Sequence, residues 1–153
     1  MNGFDEKNIR IYKVKFGKNV KIIQPSNVYE CEIGDNSFVG PFVEIQKNSK
    51  IGMNTRIQSH SFICELVTIG NNVFIGHGVM FINDKFENNK PANNDISLWK
   101  STNIGNNVSI GSNSTILPVN ICNNVVIGAG SVVTKNILTP GVYAGNPAIK
   151  LRD

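Results

Sequence analysis

The chain has 153 residues, 41% of them apolar, and a formal charge of +4 at neutral pH, the profile of one folded domain. No apolar run approaches the roughly 20 residues of a membrane helix, and three scattered cysteines, Cys31, Cys64 and Cys122, make neither a disulfide framework nor a zinc knuckle. The positive balance favours anionic partners; without a basic run interleaved with aromatics it points to phosphorylated small molecules rather than nucleic acid.

The N-terminal stretch MNGFDEKNIRIYKVKFGKN is charged where a signal peptide would be apolar, so a cytoplasmic protein with no membrane partner is expected. From Ile33 an aliphatic residue then recurs every sixth position, through Val39, Ile45, Ile51, Ile57, Ile63, Ile69 and Ile75, with Phe81 next in phase. Two positions earlier a small or β-branched residue recurs: Cys31, Ser37, Val43, Ser49, Thr55, Ser61, Val67, Val73 and Val79. Neither a helix nor an amphipathic strand has a six-residue period. A chain that turns a corner after each short strand does, with Gly or Asn taking the left-handed backbone of the corner. Three hexads make a triangular coil of 18 residues, and coils stack at about 4.8 Å. The expected fold is all-β, a left-handed parallel β-helix forming a single domain over residues 1–153.

The phase breaks after Phe81. INDKFENNKPANNDISLWKSTN, about residues 82–103, is a long loop thrown out from the helix, and a loop of that length in a compact domain is usually functional or disordered. The period resumes at Ile104, Ile110 and Ile116, loses one residue before Ile121, and continues through Ile127 and Val133. About residues 134–153 form a Pro- and Gly-marked cap over the open end.

The repeat, the stretch ending in FIND and the terminal YAGNPAIKL resemble the hexapeptide-repeat acyltransferases, in particular the N-acetyltransferases of nucleotide-linked 3-amino sugars (dTDP- or UDP-sugars) that supply bacterial surface polysaccharides. The likeness runs from about Ile33 to Arg152. It implies a homotrimer with sites between subunits and acetyl-CoA as co-substrate; with no plausible ligand set in the sequence, binding without a metal is expected. It also implies coenzyme contacts at Ser112, Ala129, Lys135 and the Ala144, Gly145, Asn146, Pro147 segment. Relatives carry a glycine in ILPGVTIG where this chain reads ILPVNIC, so the coenzyme groove lacks one expected point of close approach between Pro118 and Val119.

Acetyl transfer to an amine needs a held nitrogen, a stabilised oxyanion and a route for the proton. Glu65 and Asn83 are 18 apart and should stack on one corner, with Asp84 next at the root of the loop. His60 would contribute from the adjacent corner, and histidine is the side chain best suited to take a proton near neutrality. His60, Asn83 and Asp84 are therefore the candidate catalytic residues. Glu65, Lys85 and Trp99 are the candidate substrate contacts, with Lys100 a second cation for a diphosphate. The resemblance implies that His77 falls at a variable position. The competing functions are O-acetylation of a sugar or serine and a non-catalytic trimeric module. A zinc carbonic anhydrase of this fold needs three histidines per metal, and the chain has two.

Overall fold

The computed structural model describes residues 11–93 and 95–153. Residues 1–10 of the polar N-terminal stretch lie outside the described residues. Short strands, most of two residues, stack into three parallel sheets that form the faces of a prism. Face one runs Ile11–Tyr12, Asn27–Tyr29, Glu44–Ile45, Phe62–Ile63, Met80–Phe81, Thr115–Ile116 and Val132–Val133. Face two contains Glu32–Ile33, Lys50–Ile51, Val67–Ile69, Thr102–Ile104 and Asn120–Ile121, below which sits Lys15–Phe16. Face three contains Phe38–Val39, Arg56–Ile57, Phe74–Ile75, Ser109–Ile110 and Val125–Ile127. This is the left-handed parallel β-helix that the hexad predicts.

The strands form because β-branched residues alternate in and out. Ile45, Ile57, Ile63, Ile75, Ile110 and Ile116 are fully buried inside the prism, each above its counterpart in the coil below. Burying one such side chain contributes about 1.5–3 kcal/mol. The small residue two positions earlier often carries a hydroxyl because the corner presents it with a carbonyl. Ser37, Ser49, Thr55 and Ser61 donate to Gly52 O, Cys64 O, Gly70 O and Gly76 O at 2.8–3.1 Å. Among the described residues no buried side-chain polar atom lacks a partner.

Corner backbone is left-handed. Asn36, Asn54, Asn72, Asn107 and Asn124 all have φ of 54–59° at the corner between faces two and three, a conformation asparagine tolerates better than most residues. Their amides form a ladder, with Asn54, Asn72 and Asn107 donating upward at 3.1–3.3 Å.

Two features differ from the expected pattern. Coils begin before Ile33, because Phe16 and Val28 already occupy strands. The helix also continues past Val133: Ile137 bridges Ile121, and Gly141–Ala144 adds a parallel strand to Val125–Ile127 before Ile149–Arg152 folds back antiparallel. The cap is thus one irregular coil closed by a hairpin. The protruding loop leaves after Phe81 and rejoins face two at Thr102.

Candidate active site

The corner between faces one and two is where the coils differ from one another. From the inward residue of face one to that of face two is five positions at Val28 to Ile33 and again at Ile116 to Ile121. It is six at Ile45 to Ile51 and Ile63 to Ile69, the two coils directly under the long loop. Pairing of Phe62 and Ile63 with Glu44 and Ile45 sets Lys47 under Glu65. Pairing of Phe62 with Met80 sets Glu65 under Asn83. The extra corner residue is therefore Lys47 in one coil, Glu65 in the next, and Asn83 at the start of the loop above.

These three touch. Lys47 Nζ lies 3.5 Å from Glu65 Oε1, whose side chain is only 12% exposed. Asn83 Nδ2 lies 3.5 Å from the Glu65 carbonyl. Gln46 Oε1 accepts the Glu65 amide at 3.3 Å, and Gln46 Nε2 donates to Glu44 at 2.8 Å. This stack of residues places a carboxylate, an amide and an ammonium at the mouth of the loop. Lys47 was not among the candidates, although the same spacing of 18 that joins Glu65 to Asn83 also joins it to Glu65.

Asp84 shapes the loop. Its Oδ1 accepts Phe86 N at 2.9 Å and its Oδ2 accepts Ala92 N at 2.8 Å, and Ala92 is buried. Both oxygens keep further lone pairs. The loop's two limbs meet where Lys100 N donates to Asn83 O at 2.9 Å, and Lys100 Nζ pairs with Glu87 at 3.4 Å. Asp95 caps the 3-10 turn Ile96–Leu98. Trp99 is half-buried, whereas Lys85 is exposed and Ile96 is 65% exposed.

His60 sits on a different corner, between faces three and one. Five residues of largely extended chain separate it from Glu65, on the order of 16 Å, so one chain alone does not bring the imidazole to Asn83. His60 has φ of 65° and stacks on Phe42, with ring centroids 4.9 Å apart. His77 lies on the same corner, with Nδ1 2.9 Å from Ser59 Oγ.

Up this same corner run the small residues Ser112, Ala129 and Ala144. Ser112 Oγ accepts His77 N at 3.1 Å. Close approach of Ala129 needs Gly111 beneath it, since a Cβ there would come 2.4 Å from Ala129 N. The result is an edge of short side chains ending at Gly145, Asn146 and Pro147, all exposed. Lys135, in the cap, is exposed. The glycine absent between Pro118 and Val119 falls on the other corner, where its loss shortens one turn. It does not alter the edge that carries Ser112 and Ala129.

Two family models match the chain: the bacterial transferase hexapeptide (six repeats) over residues 30–65 and the hexapeptide repeat of succinyl-transferase over residues 102–135. The bifunctional protein GlmU of Clostridium botulinum is 34% identical over 139 residues, 85% of this chain and 30% of that protein. The chain spans 21% to 31% of the length of the curated relatives it matches. A hexapeptide-repeat acetyltransferase from Vibrio cholerae, complexed with acetyl coenzyme A, superposes with a TM-score of 0.67 at 26% identity, covering 78% of this chain and 69% of that one. AntD, an N-acyltransferase from Bacillus cereus in complex with dTDP and coenzyme A, shares the fold with a TM-score of 0.79 at 23% identity, over 92% of this chain and 83% of that one. With the repeat, the coil geometry and these matches together, the chain is a hexapeptide-repeat β-helix that resembles the hexapeptide-repeat acyltransferases.

Proposed function

We propose that the protein is an acetyl-CoA-dependent N-acetyltransferase acting on the amino group of a nucleotide-linked 3-amino sugar. The observation that carries the proposal is the stack of Glu65 and Asn83 at the loop mouth: a largely buried carboxylate and an amide that reaches the Glu65 backbone carbonyl, beside a loop pinned by Asp84. A carboxylate in that position attracts and holds a substrate ammonium, while the Asn83 amide orients the nitrogen without taking its proton. Exposed Lys85, two residues past Asn83, would offer charge to the substrate, and half-buried Trp99, next to Lys100, an apolar plane. Acetyl-CoA supplies an activated acetyl group; transfer to the ammonium gives the acetamide, the free thiol and a proton. Ser112, Ala129 and the Ala144–Pro147 segment hold the arm on the other corner.

The two corners lie at opposite edges of face one, so the full site forms where the edge of one copy meets the loop mouth of the next. Outward residues favour such packing. Phe62, Met80 and Val132 stud face one, and Phe74 and Val126 stud face three, whereas face two presents Lys15, Glu32, Lys50, Thr68 and Asn103. A cytoplasmic homotrimer, with His60 of one copy facing Asn83 of its neighbour, meets both demands.

The test is thiol release from acetyl-CoA with dTDP- and UDP-linked 3-amino sugars, in wild type, Asn83→Ala and His60→Ala. If His60 takes the proton, its loss costs about 10²-fold or more in kcat and removes a low-pH limb of the rate profile. If the departing sulfur takes it, His60→Ala mainly raises KM and Asn83→Ala damages turnover more. Wild-type rates in both variants would remove this corner from the mechanism. Thiol release with hydroxyl acceptors alone would favour O-acetylation, the alternative that an exposed His60 supports.

A further inference from the structure

The edge below Glu65 continues downward in a way the amino-sugar site does not use. Tyr29 occupies the position directly below Gln46, and Tyr12 directly below Tyr29. In these lower coils the corner has five positions, so nothing is interposed between the aromatic residue and the left-handed residue that follows it, Lys13 or Glu30. Tyr29 is half-buried and Tyr12 is 46% exposed. The Lys13 ammonium stands 5.0 Å over the Tyr12 ring and 3.7 Å from Glu30. Burial, followed by the nearby Glu44 and Glu65 carboxylates, pushes the Tyr29 phenol upward in pKa, so its hydroxyl stays neutral and sits within the same polar cluster.

Lys47 lies between this aromatic step and the Glu65 carboxylate. An ammonium has three donors, and Lys47 pairs only with Glu65 among the described residues, its side chain 44% exposed. The other carboxylates of this edge already have partners: Glu44 accepts from Gln46, and Glu30 pairs with Lys13. A substrate ammonium seated on Glu65 would take over the pairing that Lys47 provides, leaving the lysine to turn to an anion. The order down the edge is then amide and carboxylate, cation, aromatic ring. Tyr29 stands two coils below Glu65, about 10 Å, a reach that a diphosphate and a pentose span.

We propose that the edge formed by Lys47, Tyr29 and Tyr12 is a nucleoside diphosphate subsite, with Lys47 on the diphosphate and the Tyr29 ring under the base. It rests on the amino-sugar function above and extends it by two coils. The widened corner explains why the cation stands where it does. The extra residue places Lys47 in line with Glu65 and Asn83, and its absence in the coil below leaves the aromatic residue at the edge.

The test is calorimetry of the full chain with dTDP, UDP and the unphosphorylated nucleosides, in wild type, Lys47→Gln, Tyr29→Ala and Tyr29→Phe. Binding of the diphosphates to wild type is expected, weakened about tenfold in Tyr29→Ala through loss of the stacking plane and restored largely in Tyr29→Phe. Lys47→Gln should weaken the diphosphates about tenfold, an effect that fades with salt, while leaving the nucleosides as in wild type. The ring and charge roles are thereby separated from a folding role, which would lower the melting temperature without discriminating between ligands. Wild-type diphosphate affinity in both Lys47→Gln and Tyr29→Ala overturns the subsite, even if acetyl transfer to nucleotide-linked amino sugars is observed. No transfer, with diphosphate binding that still depends on Lys47 and Tyr29, would sustain the subsite and sink the proposed reaction. No diphosphate binding by wild type overturns the subsite outright.

Discussion

Gly111 and Gly130 lie on the corner that carries Ser112 and Ala129, and they are glycine for different reasons. At Gly111 the backbone is ordinary but space is absent: an added Cβ would sit 2.4 Å from Ala129 N, 2.7 Å from Ala129 Cα and 2.8 Å from Gly128 C. All three are backbone atoms of the next coil, so no side chain can swing away and the coils must separate locally. At Gly130 space is free, with nothing within 4 Å of an added Cβ, but φ is +69°. Gly111→Ala should therefore cost about 1–3 kcal/mol through overpacking, and Gly130→Ala roughly 1–2 kcal/mol through left-handed backbone strain. At this size each kcal/mol lowers the melting temperature by about 2–4 °C. The two substitutions separate in their side effects. Gly111→Ala displaces Ala129 and should weaken acetyl-CoA binding in calorimetry, whereas Gly130→Ala should cost stability first. Gly130→Asn should recover most of that loss, because Asn113 holds the equivalent position one coil below at φ of 59°. Equal melting temperatures for wild type and Gly111→Ala, with unchanged coenzyme affinity, would refute the close-contact argument.

Burial pushes the Cys31 and Cys64 thiols up to about 12, so a thiol reagent at pH 8 should label half-exposed Cys122 first and the other two only after denaturation; rapid native labelling of all three would contradict the packing. Asp84→Ala removes the acceptors of Phe86 N and Ala92 N, each bond to a charged group contributing about 1.5–3 kcal/mol, and should raise amide exchange across the loop while the coils keep their protection. Asn72→Ala breaks the amide ladder on both sides and places alanine at φ of 56°, a loss of roughly 1–3 kcal/mol that thermal unfolding should register. Glu32 is held below the ordinary carboxylate range by Lys15, with Lys50 adding to it. Its small contribution is therefore present above the unfolded pKa and lost as pH falls through the folded one; Glu32→Gln should flatten the melting-temperature profile in acid, and an identical profile would count against the pairing.

The middle of the prism is legible from residue order alone, because from Ile33 to Phe81 each aliphatic position stands six after the last. The coils before Ile33 escaped for the same reason: the five-residue corner between Val28 and Ile33 throws the register off by one, and Lys15 and Lys21 hide the pattern on exposed faces. The final coil escaped because Ile137 and Tyr143 pair with residues 16 positions earlier, Ile121 and Ile127, outside any hexad count. At the site, the Glu65–Asn83 stack follows from the spacing of 18. The division of duties for Asp84 does not, since which backbone amides a loop carboxylate meets depends on a path with no periodicity. The separation of His60 from Asn83 by a whole face was foreseeable only as adjacency of corners.

The long loop interrupts no strand and removes nothing from the core. Phe81 stays fully buried on one side of it, and Ile104, on the far side, pairs with Ile69 as though the chain had merely turned. Among the described residues its two limbs meet at a single backbone bond, Lys100 N to Asn83 O. An insertion at such a place costs the scaffold chiefly the entropy of closing a ring, about 0.6 kcal/mol for each doubling in length. The prism is therefore indifferent to what the loop contains. Segments of other lengths and compositions could be grafted between Asn83 and Lys100 with the stack beneath unchanged, so under the proposed function acceptor preference would diversify here by exchange of one cassette while the neighbouring edge stays fixed.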